Sequence, residues 1–286
     1  MQLAFKATGT SWRVDIPDST AQGVADDLFS RVKSRIEEFE EAYSRFRKDS
    51  IVGKISREAG EYRLPDDAAP MMSLYRELYE ITGGLMTPLV GQVLVDAGYD
   101  PAYSLKPKET IMEAKSWDSA LSYTHPVLRV KEPIQLDFGA LGKGYIIDIV
   151  TGMIRKSGIT EYTVDAGGDI ATTKALRIGL ENPENIKEVV GMAEVRNQSI
   201  CGSAGNRRAW GKYHHIINPK TTESPKHISA LWVVAETTML ADALSTALFF
   251  VSVEKLREKY TFECAILFAD KSAFITPKFP GKFFAV

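Results

Sequence analysis

The sequence predicts a globular chain that mixes helices with antiparallel strands. Three observations carry this. In several stretches apolar residues recur at three- and four-residue steps, the period of a helix packed on one face. Elsewhere apolar and polar residues alternate in short runs broken by Gly, Pro and Asn, the pattern of strands joined by hairpins. Of the 286 residues, 44% are hydrophobic and 25% charged, an ordinary balance for a chain with ample core. That length admits one large domain or two interlocked subdomains. A net charge of -2 gives no overall field to draw nucleic acid or a membrane, so neither is an expected partner. No run approaches the ~18 apolar residues of a membrane span. The first residues show no basic region followed by an apolar stretch, so no signal peptide is expected and the expected location is cytoplasmic. Cys201 and Cys264 lie in apolar, strand-like runs. Buried thiols are expected there rather than a bridge.

Taken in order, residues 4–16 alternate around Gly9 and predict a strand with a turn. Asp18 or Ser19 is placed to cap the next helix. Val24, Leu28, Val32, Ile36, Phe39 and Tyr43 then mark a long amphipathic helix. It runs into Y-S-R-F-R-K-D-S, where Arg45 and Arg47 could hold phosphate or lie in solvent. A second helix covers residues 71–81 and stops at Gly83 and Gly84. The apolar segment 83–91 contains Pro88 and predicts a buried turn or a pocket wall. Residues 101–118 read as a surface connection. Strands are expected at 127–130 and 134–136, a helix at 145–156 and a strand at 161–164. Residues 176–180 and 189–195 have the spacing of an antiparallel pair. A strand at 229–234, a helix at 237–250 and a hairpin-like pair at 265–269 and 273–276 complete the chain.

Three groups carry candidate chemistry. The first is L-D-F-G-A-L-G-K-G-Y-I-I-D, residues 136–148. Gly139, Gly142 and Gly144 crowd Lys143 there, and Asp137 and Asp148 flank them. A Gly-rich turn that opens into a helix offers N–H groups and a favourable dipole to an anion. The stretch is therefore a site for a phosphorylated ligand, or a turn whose glycines only relieve crowding. It lacks the GxxxxGK[ST] spacing of a Walker loop. The second group is D-A-G-G-D, where Gly167 and Gly168 stand between Asp165 and Asp169. Such a pair suits close approach of a ligand, or a bulge or hairpin turn. The third lies further on. His214 and His215 are adjacent, and on a strand they face opposite ways, so one can serve a given site. Asp242 and Thr246 share one face of the helix 237–250. A buried carboxylate is costly unless paired or metal-bound, and carboxylate plus hydroxyl suits a hard cation such as Mg²⁺. The alternative is a Thr246 hydroxyl bonded back along its helix, with Asp242 held by the N–H groups of a neighbouring loop.

Together and in this order the segments resemble the ApbE family, the FAD:protein FMN transferases. A-T-G-T (residues 7–10) is similar to the family's A-M-G-T, and Y-S-R-F-R-K-D-S to its S-R-F-x-x-x-S. G-G-L-M-T-P-L-V-G resembles G-x-F-D-P-T-V-G, with Met86 and Thr87 where Phe and Asp are usual. D-F-G-A-L-G-K-G-Y-I-I-D is close to D-L-G-G-I-A-K-G-Y-x-x-D, with Gly142 in place of Ala. A-G-G-D matches the G-G-D motif. Y-H-H-I-I-N-P-K-T-T-E-S-P is similar to H-H-I-I-D-P-x-T-G-x-P, with Asn218 for Asp and Thr222 for Gly. The family's T-S-G stands here as Ser203-Ala204-Gly205, and A-D-A-L-S-T-A-L-F nearly repeats the family's A-D-A-L-x-T-A-L-F.

The resemblance implies an α+β fold over residues 1–286, a single ApbE-like domain. Two interwoven subdomains with mainly antiparallel sheets would hold an FAD cleft between them. It implies a Mg²⁺-dependent transferase that cleaves FAD and attaches FMN by a phosphoester bond to a Thr or Ser of an acceptor flavoprotein, releasing AMP. On this reading Asp242, Thr246 and the Gly142 carbonyl hold the metal. His215 is the general base. Lys143, Gly142, Gly144, Asp137, Asp148, Gly167, Gly168, Asp169, Ser203 and His215 contact the nucleotide. The absence of a leader points to a cytosolic acceptor. An FAD pyrophosphatase and a non-catalytic FAD-binding protein are the alternatives.

Overall fold

The computed structural model describes residues 1–284. Strands β1 (Gln2–Ala7) and β2 (Thr10–Asp15) lead into helix α1 (Gln22–Tyr43) and the short α2 (Ile51–Ile55). Next come β3 (Gly60–Arg63), α3 (Ala69–Ile81), a 3₁₀ turn (Pro88–Val90) and α4 (Gly91–Asp96). After a long connection follow α5 (Trp117–Ala120), β4 (Leu121–Thr124), β5 (Val127–Val130) and α6 (Gly142–Lys156). The middle of the chain is all strand: β6 (Thr163–Ala166), β7 (Ile170–Thr172), β8 (Leu176–Asn182), β9 (Asn185–Val195), β10 (Gln198–Ala204), β11 (Ala209–Trp210) and β12 (Tyr213–His214). Last are β13 (Ile228–Ala235), α7 (Thr238–Ala247), α8 (Val253–Arg257), β14 (Glu263–Phe268), β15 (Ala273–Ile275) and β16 (Gly281–Phe283).

Eight strands form one sheet in the order β1-β2-β6-β7-β10-β13-β14-β15, and every pairing in it is antiparallel. The fold is α+β, as expected. Alternation along the central strands sends side chains to two separate cores. On β13, Leu231 and Val233 face the helices, while Ala230, Trp232 and Val234 face the other way. The first face carries α6 and α7, with α1 packed on α6. The second is covered by the smaller sheet β16-β9-β8, which contributes Leu180, Ala193 and Val195. Both cysteines are buried as free thiols. Among the described residues no helix is long and apolar enough to cross a membrane.

Some expectations are corrected. Residues 134–136 form no strand. Their neighbourhood spends its backbone bonds singly, Ile134 N–H to the Ile55 carbonyl (3.2 Å) and Asp137 N–H to that of Pro88 (2.8 Å), so no ladder forms. Neither Asp18 nor Ser19 caps α1. Its N-cap is Ala21, with no side-chain bond, and Asp18 instead pairs with the terminal ammonium of Met1. The helix expected at 145–156 begins three residues earlier, at Gly142, and the one expected to reach residue 250 ends at Ala247. The β1–β2 turn closes as a tight hairpin because Thr8 and Gly9 both take positive φ (49° and 71°).

The first turns of α6 and α7 pack side by side and cap one another. The first N–H groups of a helix lack partners within it. Gly144, in the first turn of α6, donates its N–H to Asp242 Oδ2 on α7 (2.8 Å). In return Asp148 on α6 accepts the N–H groups of Thr238 (2.8 Å) and Met239 (2.9 Å), which open α7. The approach requires glycine at 144. A Cβ there would lie 2.3 Å from the Thr238 carbonyl oxygen and 2.8 Å from Asp242 Cβ. At Gly142 a Cβ would meet nothing nearer than Phe39 Cζ at 3.4 Å, an ordinary contact. The two glycines of G-K-G therefore predict opposite outcomes. Gly144→Ala should destabilise by about 1–3 kcal/mol, the usual range for overpacking. Gly142→Ala should be neutral or stabilise by roughly 0.5 kcal/mol through the unfolded chain. Urea denaturation midpoints of the two variants check both.

Candidate functional site

A cavity of about 750 Å³ opens between the β1–β2 turn, the end of α1, the turn leading into α6, β8 and α7. Of the residues singled out in the sequence, Asp137, Gly142, Lys143, Gly167, Gly168, Ser203, His215, Asp242 and Thr246 all line it. Segments up to 109 positions apart thus converge on one space. Gly144, Asp148 and Asp169 do not line it. Gly144 and Asp148 are spent in the helix junction described above. Asp169 is buried and forms an ion pair with Lys143 from behind.

Each lining residue is held by its neighbours. Gly167 sits in the β6–β7 hairpin turn, closed by Ala166 N–H to the Asp169 carbonyl (2.9 Å). Its φ of 70° and a Thr10 hydroxyl 2.0 Å from any added Cβ leave room for glycine alone. Both readings of this turn hold at once, since it is a hairpin and also cavity wall. Asp137 binds Arg45 Nε (2.5 Å) and accepts Gly139 N–H (2.7 Å). Arg45 is therefore no surface residue: it is 5% exposed, also donates to the Tyr99 carbonyl (2.8 Å), and stacks on Phe46 and Tyr99. Ser203 shares a hydroxyl bond with Ser245 (2.7 Å).

The adjacent histidines divide as their spacing requires. His214 is consumed internally, with Nε2 against the Pro225 carbonyl (2.8 Å) and Nδ1 accepting Ile216 N–H (3.3 Å). His215 lines the cavity, and its buried Nδ1 has no partner among the described residues. Burial pushes the His215 ring down to about 3, helped by the charges of Arg208, His214 and Lys143. It is neutral at pH 7, and the same burial and neighbouring charges oppose its protonation. Its backbone N–H is tied to the Arg208 carbonyl (3.0 Å).

The oxygens of α7 fit a hard cation. Among the described residues no three His, Cys, Asp or Glu side chains come together as a metal cluster, so a metal here would also need neutral oxygens. Asp242 uses Oδ2 on Gly144, and among the described residues neither its Oδ1 nor the Thr246 hydroxyl makes a hydrogen bond, although both residues border the cavity. The hydroxyl that bonds back along α7 is that of Ser245, to the Asp242 carbonyl (2.8 Å). Burial raises the Asp242 carboxyl, opposed chiefly by Lys143 and by the Gly144 N–H. A cation beside it would restore the ionised form. The Gly142 carbonyl belongs to the first turn of α6 and keeps one lone pair after its helical bond.

Sequence reasoning left out Arg208, Tyr99 and Glu40, all at the cavity wall. None falls in a motif, and only tertiary contacts bring them there. Thr222 has φ 59°, in the turn where the family pattern has Gly.

The α+β fold thus brings a Gly-lined turn, a neutral buried histidine and a carboxylate–hydroxyl pair to one cavity. The ApbE family model matches residues 8–266, and the chain belongs to the ApbE family. It is 24% identical over 280 residues to a protein of Escherichia coli named FAD:protein FMN transferase, covering 90% of this chain and 80% of that protein. A Treponema pallidum protein of the same name is 26% identical over 301 residues, covering 92% and 83%. Among solved structures, flavin transferase ApbE from Vibrio cholerae superposes with TM-score 0.82 at 19% identity, covering 98% of this chain and 97% of that one. The ApbE protein of Thermotoga maritima gives 0.84 at 20%, covering 97% of each. These last two share the fold.

Two outcomes follow from this geometry. Between pH 6.5 and about 3 the unfolded chain protonates His215 and the native protein does not. This ring therefore favours unfolding as pH falls, by about 2 kcal/mol between pH 7 and 5. The raised carboxyls of Asp148 and Asp242 act oppositely towards the acid end. The comparison that isolates the ring is the pH dependence of stability in His215→Gln, which should lose less between pH 7 and 5 than the unsubstituted protein. Separately, Thr222→Gly should raise the melting temperature, because a β-branched residue in the left-handed region costs about 1 kcal/mol or more.

Proposed function

We propose that the protein is a Mg²⁺-dependent FAD:protein FMN transferase. It would cleave FAD, join FMN through a phosphoester to a Thr or Ser hydroxyl of an acceptor flavoprotein, and release AMP. The observation that supports this most is one cavity in which a neutral, buried His215 and the unused oxygens of Asp242 and Thr246 meet, in a member of the ApbE family. The names of the relatives above give the substrate.

In this reading the acceptor hydroxyl loses its proton to His215 as its oxygen bonds to the FMN phosphorus. The phosphorus–oxygen bond to AMP breaks, and AMP takes the electron pair. His215 enters the step neutral with an unpartnered ring nitrogen, and the negative charge of a bound diphosphate would raise its low basicity. Arg208 fixes its backbone. Asp242, Thr246 and the Gly142 carbonyl would hold Mg²⁺, which supplies charge neutralisation at the pyrophosphate when bound. Lys143 and the Gly167–Gly168 turn border the same space and position the nucleotide, with Asp169 holding the lysine from behind. Ser203 and the Arg45–Asp137 pair shape the remaining wall.

Incubation with FAD, Mg²⁺ and an acceptor carrying a Ser/Thr target motif should add one FMN to the acceptor by intact mass, and a chelator should abolish the gain. His215→Ala should keep FAD binding and lose turnover by ~10²–10⁴-fold. Asp242→Asn keeps an acceptor for the Gly144 N–H and should still fold, yet lose its response to Mg²⁺. FAD recovered intact in every condition would overturn the transferase, and FMN released with no labelled acceptor would replace it by a pyrophosphatase.

A further inference from the structure

Five lysine and arginine side chains line the cavity: Arg45, Arg47, Lys143, Arg207 and Arg208. Four are neutralised where they stand. Arg45 is paired with Asp137 (2.5 Å), Arg47 with Glu37 (2.6 Å) and Glu40 (3.6 Å), Lys143 with Asp169, and Arg207 with Glu181 (2.8 Å). Arg208 alone has no carboxylate within ion-pair distance among the described residues. Its one side-chain hydrogen bond runs from Nη1 to the Tyr99 hydroxyl (3.1 Å). The guanidinium crosses from the loop after β10 to the β1–β2 turn, where Nη2 lies 3.6 Å from the Cβ position of Gly9.

Arg208 is also joined to the chemistry. Its carbonyl accepts the His215 N–H (3.0 Å), so guanidinium and imidazole sit on one short stretch of chain. Its charge is felt at both His215 and Asp242. A planar guanidinium presents a fork of N–H donors that matches phosphate oxygens two at a time, and it stays charged at any working pH. The Lys143 ammonium is already committed to Asp169, so it has less to give an incoming anion.

We propose that Arg208 is the substrate's direct diphosphate ligand, the one uncommitted cation of the cavity among the described residues, and that it stabilises charge on the phosphoryl group beside His215. This rests on the reading above for the identity of the substrate. It requires only that the substrate carry a diphosphate.

The test compares binding of ADP, FAD and riboflavin to the intact protein with Mg²⁺ by titration calorimetry. Riboflavin shares the flavin and has no phosphate. Arg208→Gln should weaken ADP and FAD about tenfold or more and leave riboflavin unchanged, as expected for loss of a charge-assisted bond to phosphate. Arg208→Lys should recover part of the loss, since it keeps the charge and forfeits the fork. Arg207→Gln, whose charge is already matched by Glu181, should change ADP binding much less. Arg208 is exposed, so these substitutions empty no core. Independently of any variant, ADP should protect Arg208 of the unsubstituted protein from phenylglyoxal, read by peptide mass. Equal ADP affinity in Arg208→Gln, an equal loss in Arg207→Gln, or no protection would each overturn the proposal. Arg208-dependent ADP binding without any FAD binding would sustain it while overturning the transferase reading.

Discussion

Two helix N-termini packed side by side would ordinarily repel, since each carries unpaired N–H groups and the positive end of a dipole. Here each helix supplies the carboxylate that satisfies the other: Asp242 on α7 serves α6, and Asp148 on α6 serves α7. Burying two carboxylates is expensive, and three backbone donors with Lys143 nearby offset the cost. The arrangement works only because Gly144 lets the helices touch. Most of the cavity's geometry follows from it. Asp242 is fixed with one oxygen engaged and the other free, Thr246 lies one turn on, and Lys143 is held at the helix mouth beside them.

The cavity wall obeys the same economy of charge. Acidic partners neutralise nearly every cation that borders it, leaving the interior close to balanced. Arg45 shows how far this goes: it is buried, stacked on two aromatic rings and paired, so it contributes shape and rigidity more than field. Against that background a neutral imidazole and one open guanidinium stand out as the groups able to exchange a proton or take an anion.

Periodicity made the long helix ending at Tyr43 legible, and hairpin spacing did the same for the antiparallel pair expected at 176–180 and 189–195, which the structure extends to Leu176–Asn182 and Asn185–Val195. The Gly-rich segments were also legible as close-approach points, because glycine at a turn marks backbone that a side chain would obstruct. What stayed hidden was partnership. Asp148 stands beside Gly144 and Lys143 in the sequence, and nothing local says that its oxygens turn away to α7, 90 positions on. Arg45 could equally have been solvated, since its carboxylate lies 92 residues away. The failed strand at 134–136 has the same cause: the backbone bonds around it go to the end of α2 and to the 3₁₀ turn, and no pattern of side chains records where a carbonyl will be found.

The departures from the family pattern divide along the same line between local geometry and charge. Thr87 replaces an Asp, yet its hydroxyl still accepts the Leu89 N–H (3.2 Å) and caps the 3₁₀ turn. Asn218 replaces another Asp, and its Oδ1 still receives the N–H groups of Lys220 (2.9 Å) and Thr221 (3.1 Å). In both places the oxygen that shapes the turn survives and only the negative charge is lost. Thr222 holds the left-handed turn that glycine would make more cheaply, with its N–H on the Asn218 carbonyl (2.9 Å). Of Thr87 and Asn218 only Thr87 borders the cavity, so it is there alone that the lost charge removes an acid from the wall.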